Sequence, residues 1–336
     1  MSKAFADEKH QYSSAKWRIP NSIAAIFGLL LAILGQWCLH ESPIYDFRKD
    51  HNNARRTLAI FIACPEDTTV INLKIKELED EEKKQAQEPT ITWRDMFSNN
   101  MLHRTLLGIG LQIGQQLTGC NLFFYYGATI FEQAGLGDPF KIPIFICAVN
   151  LAGSLISLWV VKLVDRKMAF RIGSATMIIC LFVFAILGTF VDRRSNSSNP
   201  LQGGFLILVV FTCINILAFA ASWGPLVWTC LTEMYPPKHR AKGSSIATAA
   251  NWLTNFVISF ATPSIVGKIG YLYGLVFAGS LILLWIMIEL FMIETRDVSL
   301  AEIDRLYLVC KLPVGRKSPI VNDGYQTGVT GGDNNA

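Results

Sequence analysis

GIGLQIGQQLTGCNLFFYYGATIF, residues 108–131, decides how the whole chain is read. An apolar run of about 20 residues covers the ~30 Å of bilayer hydrocarbon as a helix, and this one is long enough. It nevertheless carries Gln112, Gln115, Gln116, Thr118 and Asn121, and no charged residue. Amides in lipid are costly unless they find partners, so they should face a bundle interior or a water-filled cavity. At ~3.6 residues per turn Gln112 and Gln116 share a face, with Gln115 beside them. Asn121 falls about one and a half turns beyond Gln116, so it joins that face only if the helix unwinds locally or the face is wide. Gly108, Gly110, Gly114, Gly119 and Gly127 permit such unwinding. The residues alone leave two readings open. Interrupted helices beside polar clusters mark substrate sites in transporters, and amide pairs with close-packing glycines also hold helices together.

Working outward, six further apolar runs match the first in length: 19–39, 143–164, 170–191, 204–231, 243–266 and 271–293, with 106–131 the second in order. Such runs are too long and continuous for barrel strands, so they are read as helices. Composition agrees. Hydrophobic residues make up 51% of the 336, charged residues only 17% against roughly 25% in soluble proteins, and mean hydropathy is +0.34. Disorder, collagen-like repeats, a small disulfide scaffold and an ordinary cytosolic enzyme are excluded. The fold class is an all-α polytopic membrane protein of about seven transmembrane helices, one standing alone and six in quick succession.

Lys and Arg set the orientation. One side collects 22 of them and the other 8, which makes the long stretch 40–101 and the C-terminus cytoplasmic and the N-terminus outward. The only glycosylation sequon, Asn196-Ser197-Ser198, falls on the outward side. Within the cytoplasmic stretch, residues 70–88 mix apolar residues at helical spacing with Glu, Asp and Lys, which predicts a surface-lying helix. The expected organisation is a polar segment over 1–16 that is not a signal peptide, a helix over 17–39, the linker over 40–101, a six-helix block over 102–293 and a tail over 294–336, disordered from 323. Net charge of +4 is too mild to indicate nucleic acid as a partner. The eight cysteines form no C-x-x-C and no metal spacing, and no cofactor is implied.

A neutral amide is both donor and acceptor, which matches vicinal hydroxyls that are the same. Phe123, Phe124, Tyr125, Tyr126, Trp228 and Trp252 could lie against the apolar face of a ring. With no charge on the polar face, a neutral polyol fits better than an ion. Gly224-Pro225 falls within the fifth span, where proline removes a backbone bond and predicts a kink, followed by Trp228 and Glu233. Asn251 and Asn255 share a face of the sixth span, with Trp252 between them. Asp165, Arg166, Glu233, Arg240 and Glu294 gather at helix ends on the basic side, where ion pairs could hold one state shut.

Taken in order, these segments resemble the sugar porter family of the major facilitator superfamily, most closely the fungal hexose transporters. QQLTGCNLFFYYG, 115–127, is similar to the family's seventh-helix signature almost residue for residue. Trp17-Arg18-Ile19-Pro20 resembles the start of its sixth helix, and Glu41-Ser42-Pro43 resembles P-E-S-P with His40 in place of the first proline. Asp165-Arg166 resembles the acidic-Arg-x-Gly-Arg-Arg loop, with Met168, Ala169 and Phe170 where Gly-Arg-Arg should be. Gly224-Pro225, Trp228, Glu233, Pro236, Arg240 and Gly243 resemble the tenth helix and its exit loop, and Glu294-Thr295-Arg296 resembles P-E-T-K-G.

The resemblance covers about residues 17–306. It implies that Gln115, Gln116 and Asn121 bond sugar hydroxyls and that Asn150 is a further ligand. Trp228 would line the cavity, with Asn251 and Trp252 close by. Glu233, Arg166 and Arg240 would belong to a charge network, with Asp165 beside Arg166; the Gly224-Pro225 kink beside the site is, from the residues themselves, read as a gate. The implied function is hexose transport by alternating access in the plasma membrane. Family members have two six-helix halves, and the segments here match the sixth helix, the linker and the second half, so a carrier lacking five helices and impaired in transport is expected. A sugar sensor or regulatory half-transporter is the alternative. A seven-helix receptor is disfavoured by the charged loop and the amide-rich span. No nucleophile–base pair or nucleotide loop supports an enzyme.

Overall fold

The computed structural model describes residues 15–38, 41–65, 68–87, 91–124, 127, 141–195, 202–296, 298 and 300–309. Asn196, Tyr125, Tyr126, the first fourteen residues and the tail beyond 309 lie outside them. The chain divides into two compact units, Met1–Ile91 and Thr92–Ala336.

Among its described residues the first unit holds four helices: α1 (Ala15–Cys38), α2 (Pro43–Lys49), α3 (His51–Ile62) and α4 (Thr69–Gln87). Apolar side chains of α1 such as Phe27, Leu31 and Trp37 are exposed, as expected of a helix whose surroundings are lipid rather than water. The other three build a small core of their own. Asp50 caps α3, its carboxylate accepting from the Asn52 backbone N–H at 3.0 Å. Ile71 and Ile75 of α4 pack on Ala54 and Leu58 of α3, with Leu78 at the edge. The 71, 75, 78 spacing is one helical stripe, so α4 is the helix predicted for the charged stretch. Thr57 donates to Asp46, and Arg55 donates to Asn72 at 2.8 Å, tying α3 to α2 and α4.

The second unit comprises α5 (Asn99–Leu117), α6 (Lys141–Leu163), α7 (Arg166–Ser195), α8 (Gln202–Ala221), α9 (Trp223–Met234), α10 (Pro237–Ile269), α11 (Tyr273–Phe291) and α12 (Leu300–Val309). Among the described residues, four runs are long and apolar enough to cross a membrane: Ile144–Leu163, Arg166–Val191, Ile207–Met234 and Pro237–Phe291. The last contains two helices, joined only by a one-turn 3-10 helix at Gly270–Leu272. The chain is an integral membrane protein, all helical among its described residues.

Helix α7 packs between α8 and α11, α6 on α8, and α5 on α10. In lipid no hydrophobic force drives helices together, so side-chain packing and hydrogen bonds carry the association. The rings supply much of it: Phe123 meets Phe184 edge-on with centroids 5.0 Å apart, and Phe170 meets Trp223 at 4.9 Å. Amphipathic α12 docks through Ile303 and Tyr307. Its Asp304 carboxylate accepts from buried Arg104 of α5 at 2.6 Å, and the guanidinium lies 4.8 Å from the Tyr307 ring. A buried guanidinium needs this many partners to offset its lost hydration.

Two differences from the sequence reading position the site. The fifth span is broken rather than kinked. Helix α8 stops at Ala221, Ser222 takes a non-helical conformation (φ −127°, ψ −85°), and Gly224-Pro225 fall in the first turn of α9. Proline is tolerated there because first-turn positions have no intrahelical donor bond to lose. The amide-rich span is also interrupted. It ends at Thr118, and Gly119 adopts φ +77°, a left-handed conformation that suits glycine. A Cβ on Gly119 would lie 2.6 Å from the Phe277 ring.

Candidate functional site

Six amide side chains from three stretches meet inside the second unit. From α5, Gln112, Gln115 and Gln116 point toward α10, whose Asn251 and Asn255 point back. Asn251 is the hub. Its Nδ2 donates to the Gln112 side-chain oxygen at 2.7 Å and the Gln115 side-chain oxygen at 3.0 Å, and its Oδ1 accepts from Gln116 Nε2 at 2.7 Å. The Gln116 oxygen accepts from Asn255 Nδ2 at 3.3 Å and from Asn121 Nδ2. The left-handed turn at Gly119 is what brings Asn121 back over Gln116. It supplies the unwinding that helical spacing demanded.

Gln115 reaches the helix break. Its Nε2 donates to the Trp223 carbonyl at 3.0 Å and the Gly224 carbonyl at 2.8 Å. Trp223 is held from behind by its indole N–H donating to Ser174 of α7 at 2.9 Å. The break is thus clamped between α5 and α7. Gln112, Gln115, Gln116 and Asn251 are all buried, and Gln112 Nε2 has no partner among the described residues. The cluster therefore keeps one free donor, and the rest of its bonding is neutral amide to amide or to backbone carbonyl.

The other sequence-predicted residues are distributed around this cluster. Trp228 of α9 and Trp252 of α10 are 41% and 67% exposed, so neither is a packing tryptophan within the unit. Asn150 of α6 is half-buried, and no hydrogen bond among the described residues joins its side chain to the cluster. Asn255 is the residue that sequence reasoning placed on the right face without assigning it a ligand role; its i,i+4 spacing from Asn251 was the available signal.

A second cluster gathers at the opposite, basic ends of the helices. Arg166 Nη2 donates to Glu233 Oε1 at 3.0 Å, and Glu233 Oε2 accepts from the Thr295 hydroxyl. The Glu294 carboxylate accepts from the backbone N–H groups of Arg166 and Lys167, both at 2.9 Å, and so caps α7. Asp165 accepts from Arg296 at 3.2 Å, which also donates to the Leu163 carbonyl at 2.6 Å. Arg240 is not drawn in: its Nε is buried without a partner among the described residues. Glu233 accepts from Arg166 and Thr295 and Glu294 from backbone amides, and neither bonds Arg240 among the described residues. Thr295 was visible only as part of the Glu294-Thr295-Arg296 motif, and Ser174 and Arg104 had no signal in the sequence, since a lone hydroxyl or flanking Arg reads as ordinary interface.

Chemically, the amide cluster can exchange its internal bonds for hydroxyl partners without moving a charge, and the charge cluster can fasten or release helix ends. A family model described as "Sugar (and other) transporter" matches residues 3–307. The chain is 35% identical over 303 residues to a high-affinity fructose transporter of Schizosaccharomyces pombe, covering 89% of this chain and 56% of that one. It is 33% identical over 309 residues to a low-affinity glucose transporter of Saccharomyces cerevisiae, covering 91% and 54%. It spans about half the length of the relatives it matches. Among solved structures it is similar to a double-tryptophan mutant of XylE, with TM-score 0.69 and 22% identity over 87% of this chain and 59% of that one. The inward-open xylose transporter XylE of E. coli gives TM-score 0.61 and 23% identity, covering 87% and 57%. Motif order and relatives converge: the chain belongs to the sugar transporter family.

Proposed function

We propose that this chain contributes the sugar-binding surface of a hexose carrier that works by alternating access in the plasma membrane, with its basic helix ends cytoplasmic. One observation carries the reading: a buried, uncharged cluster built from Gln112, Gln115, Gln116, Asn121, Asn251 and Asn255, clamped to a helix break. Amide–amide bonds and amide–hydroxyl bonds are close in free energy, so a neutral sugar can replace the first with the second at small cost. Trp228 and Trp252 offer flat apolar surfaces to the C–H face of a pyranose. The broken α8–α9 pair supplies the moving part, because Gln115 holds carbonyls that sit on it, and the Glu233–Arg166–Thr295 group fastens the far end.

The test is saturable quenching of tryptophan fluorescence by D-glucose on the purified chain in detergent. Binding in the millimolar range, roughly −4 kcal/mol, is expected, with loss in Gln115→Ala and no response to L-glucose. Quenching that never saturates, or that is unchanged in Gln115→Ala, overturns the assignment.

A further inference from the structure

We propose that Thr212 and Asn215 of α8 hold internal water within the core of the second unit. Both residues are 0% exposed. Neither Thr212 Oγ1 nor Asn215 Nδ2 or Oδ1 has a hydrogen-bond partner among the described residues. Residues three apart are neighbours on a helix surface, so the three atoms belong to one face. That face is otherwise apolar: Leu208 and Ile216, one turn from Thr212 on either side, are part of the buried core. The enclosure is built by this chain's own side chains. The other buried Ser and Thr residues, such as Thr118, Thr262 and Ser174, all have partners. Thr212 has the Leu208 carbonyl in its own helix, the kind of acceptor that Thr176 and Thr189 of α7 use, and does not take it. The buried amides of Gln112, Gln115, Gln116 and Asn251 each make at least one bond, whereas Asn215 makes none at either end. Exchanging its oxygen and nitrogen would change nothing, since both are unpaired.

Chemistry selects the guest. The hydroxyl offers one donor and two acceptor sites, the amide two donors and an acceptor, and neither carries charge. An ion would find no counter-charge here, and among the described residues no group of three or more His, Cys, Asp or Glu could hold a metal. Left dry, the three atoms would bear their full desolvation cost. A water molecule donates and accepts at once, makes about 2–4 bonds in such sites, and spans the roughly 5–6 Å between neighbouring positions with two ordinary bonds. The place also matters. Helix α8 ends at Ala221, so the hydrated pair lies on the helix that runs into the break, with Asn215 two turns before Ser222.

The experiment is X-ray hydroxyl-radical footprinting of the full chain in nanodiscs, read by peptide mass spectrometry. Radicals form from the water present, so a buried side chain oxidises quickly where water sits against it. Ile216 and Leu208 should oxidise several-fold faster than the equally buried Leu226 and Leu281. A radical scavenger confined to bulk solvent should leave that difference intact. Thr212→Val/Asn215→Leu removes all three polar atoms with little change in volume and should bring Ile216 down to the Leu226 rate. Should that variant fail to fold, the wild-type comparison in the presence of scavenger decides. Equal rates at Ile216 and Leu226, a difference that the scavenger abolishes, or a rate indifferent to the double substitution overturns the proposal. Oxidation is read without sugar, so this outcome stands apart from the sugar-binding test.

Discussion

Two of the places where the second unit buries polar groups are built on different physics. Between α5 and α10 the groups are neutral amides that satisfy one another. At the helix ends near Glu233 they are ions and backbone dipoles. The amide cluster has near-equivalent alternative partners, so its bonds exchange cheaply. The ionic cluster has none, because releasing Arg166 leaves a partly buried carboxylate facing a half-empty site. One cluster is suited to binding and letting go, the other to holding a geometry until something larger moves.

Mutations can break this contrast, and the ionic side should show the largest effect. Arg166→Met, with Arg166 10% and Glu233 24% exposed, should destabilise the chain by about 2–4 kcal/mol, read as a lowered midpoint in thermal unfolding monitored by fluorescence. Arg166→Met/Glu233→Leu should recover much of that loss, since an apolar pair carries no orphaned charge. A double variant no better than the single one would show that the ion pair itself is not the reason.

The amide side should respond more mildly in stability and more strongly in binding. Asn251→Ala removes the hub and leaves Gln112, Gln115 and Gln116 each short of a partner, a loss of about 1–3 kcal/mol, with glucose quenching abolished. Gly119→Ala acts through shape: the left-handed backbone costs about 1–2 kcal/mol, and the ring of Phe277 must move. Asn121 then loses its place over Gln116, so glucose affinity should fall with stability. A variant that loses stability while keeping affinity would detach Asn121 from the site.

The smallest stability effects belong to the exposed indoles. Trp252→Ala should change the unfolding midpoint by no more than about 0.5 kcal/mol while weakening glucose binding, as measured through the remaining tryptophans. Equal effects on both quantities would make Trp252 a packing residue. Because the amide cluster contains no ionisable side chain, glucose affinity should also stay flat between roughly pH 5 and 8, where amides do not titrate.

Much of this was legible beforehand. The membrane class followed from apolar run lengths, and the amide face from the 112, 116 and 251, 255 spacings. The need to unwind near Gly119 followed from Asn121 falling out of phase. What was not legible depended on tertiary partners. Arg240 looks like a member of the charge cluster until the fold shows Glu233 bonded to Arg166 and Thr295 and not to Arg240. Gly224-Pro225 reads as a kink because proline breaks a helix interior, but the sequence does not say that the interior ends two residues earlier, at Ser222. Ser174 shows nothing by itself; only the fold brings it under the Trp223 indole.

Glu294 caps α7 from 128 residues downstream, and Asp304 reaches back 200 residues to Arg104. Both fastenings join the start of a helix made early to residues made late. Until the downstream segment has been translated, the N–H groups that open α7 and the Asp304 side of the Arg104 guanidinium wait for these mates. Each fastening is therefore sealed only after the apolar helices that lie between its two partners have been made.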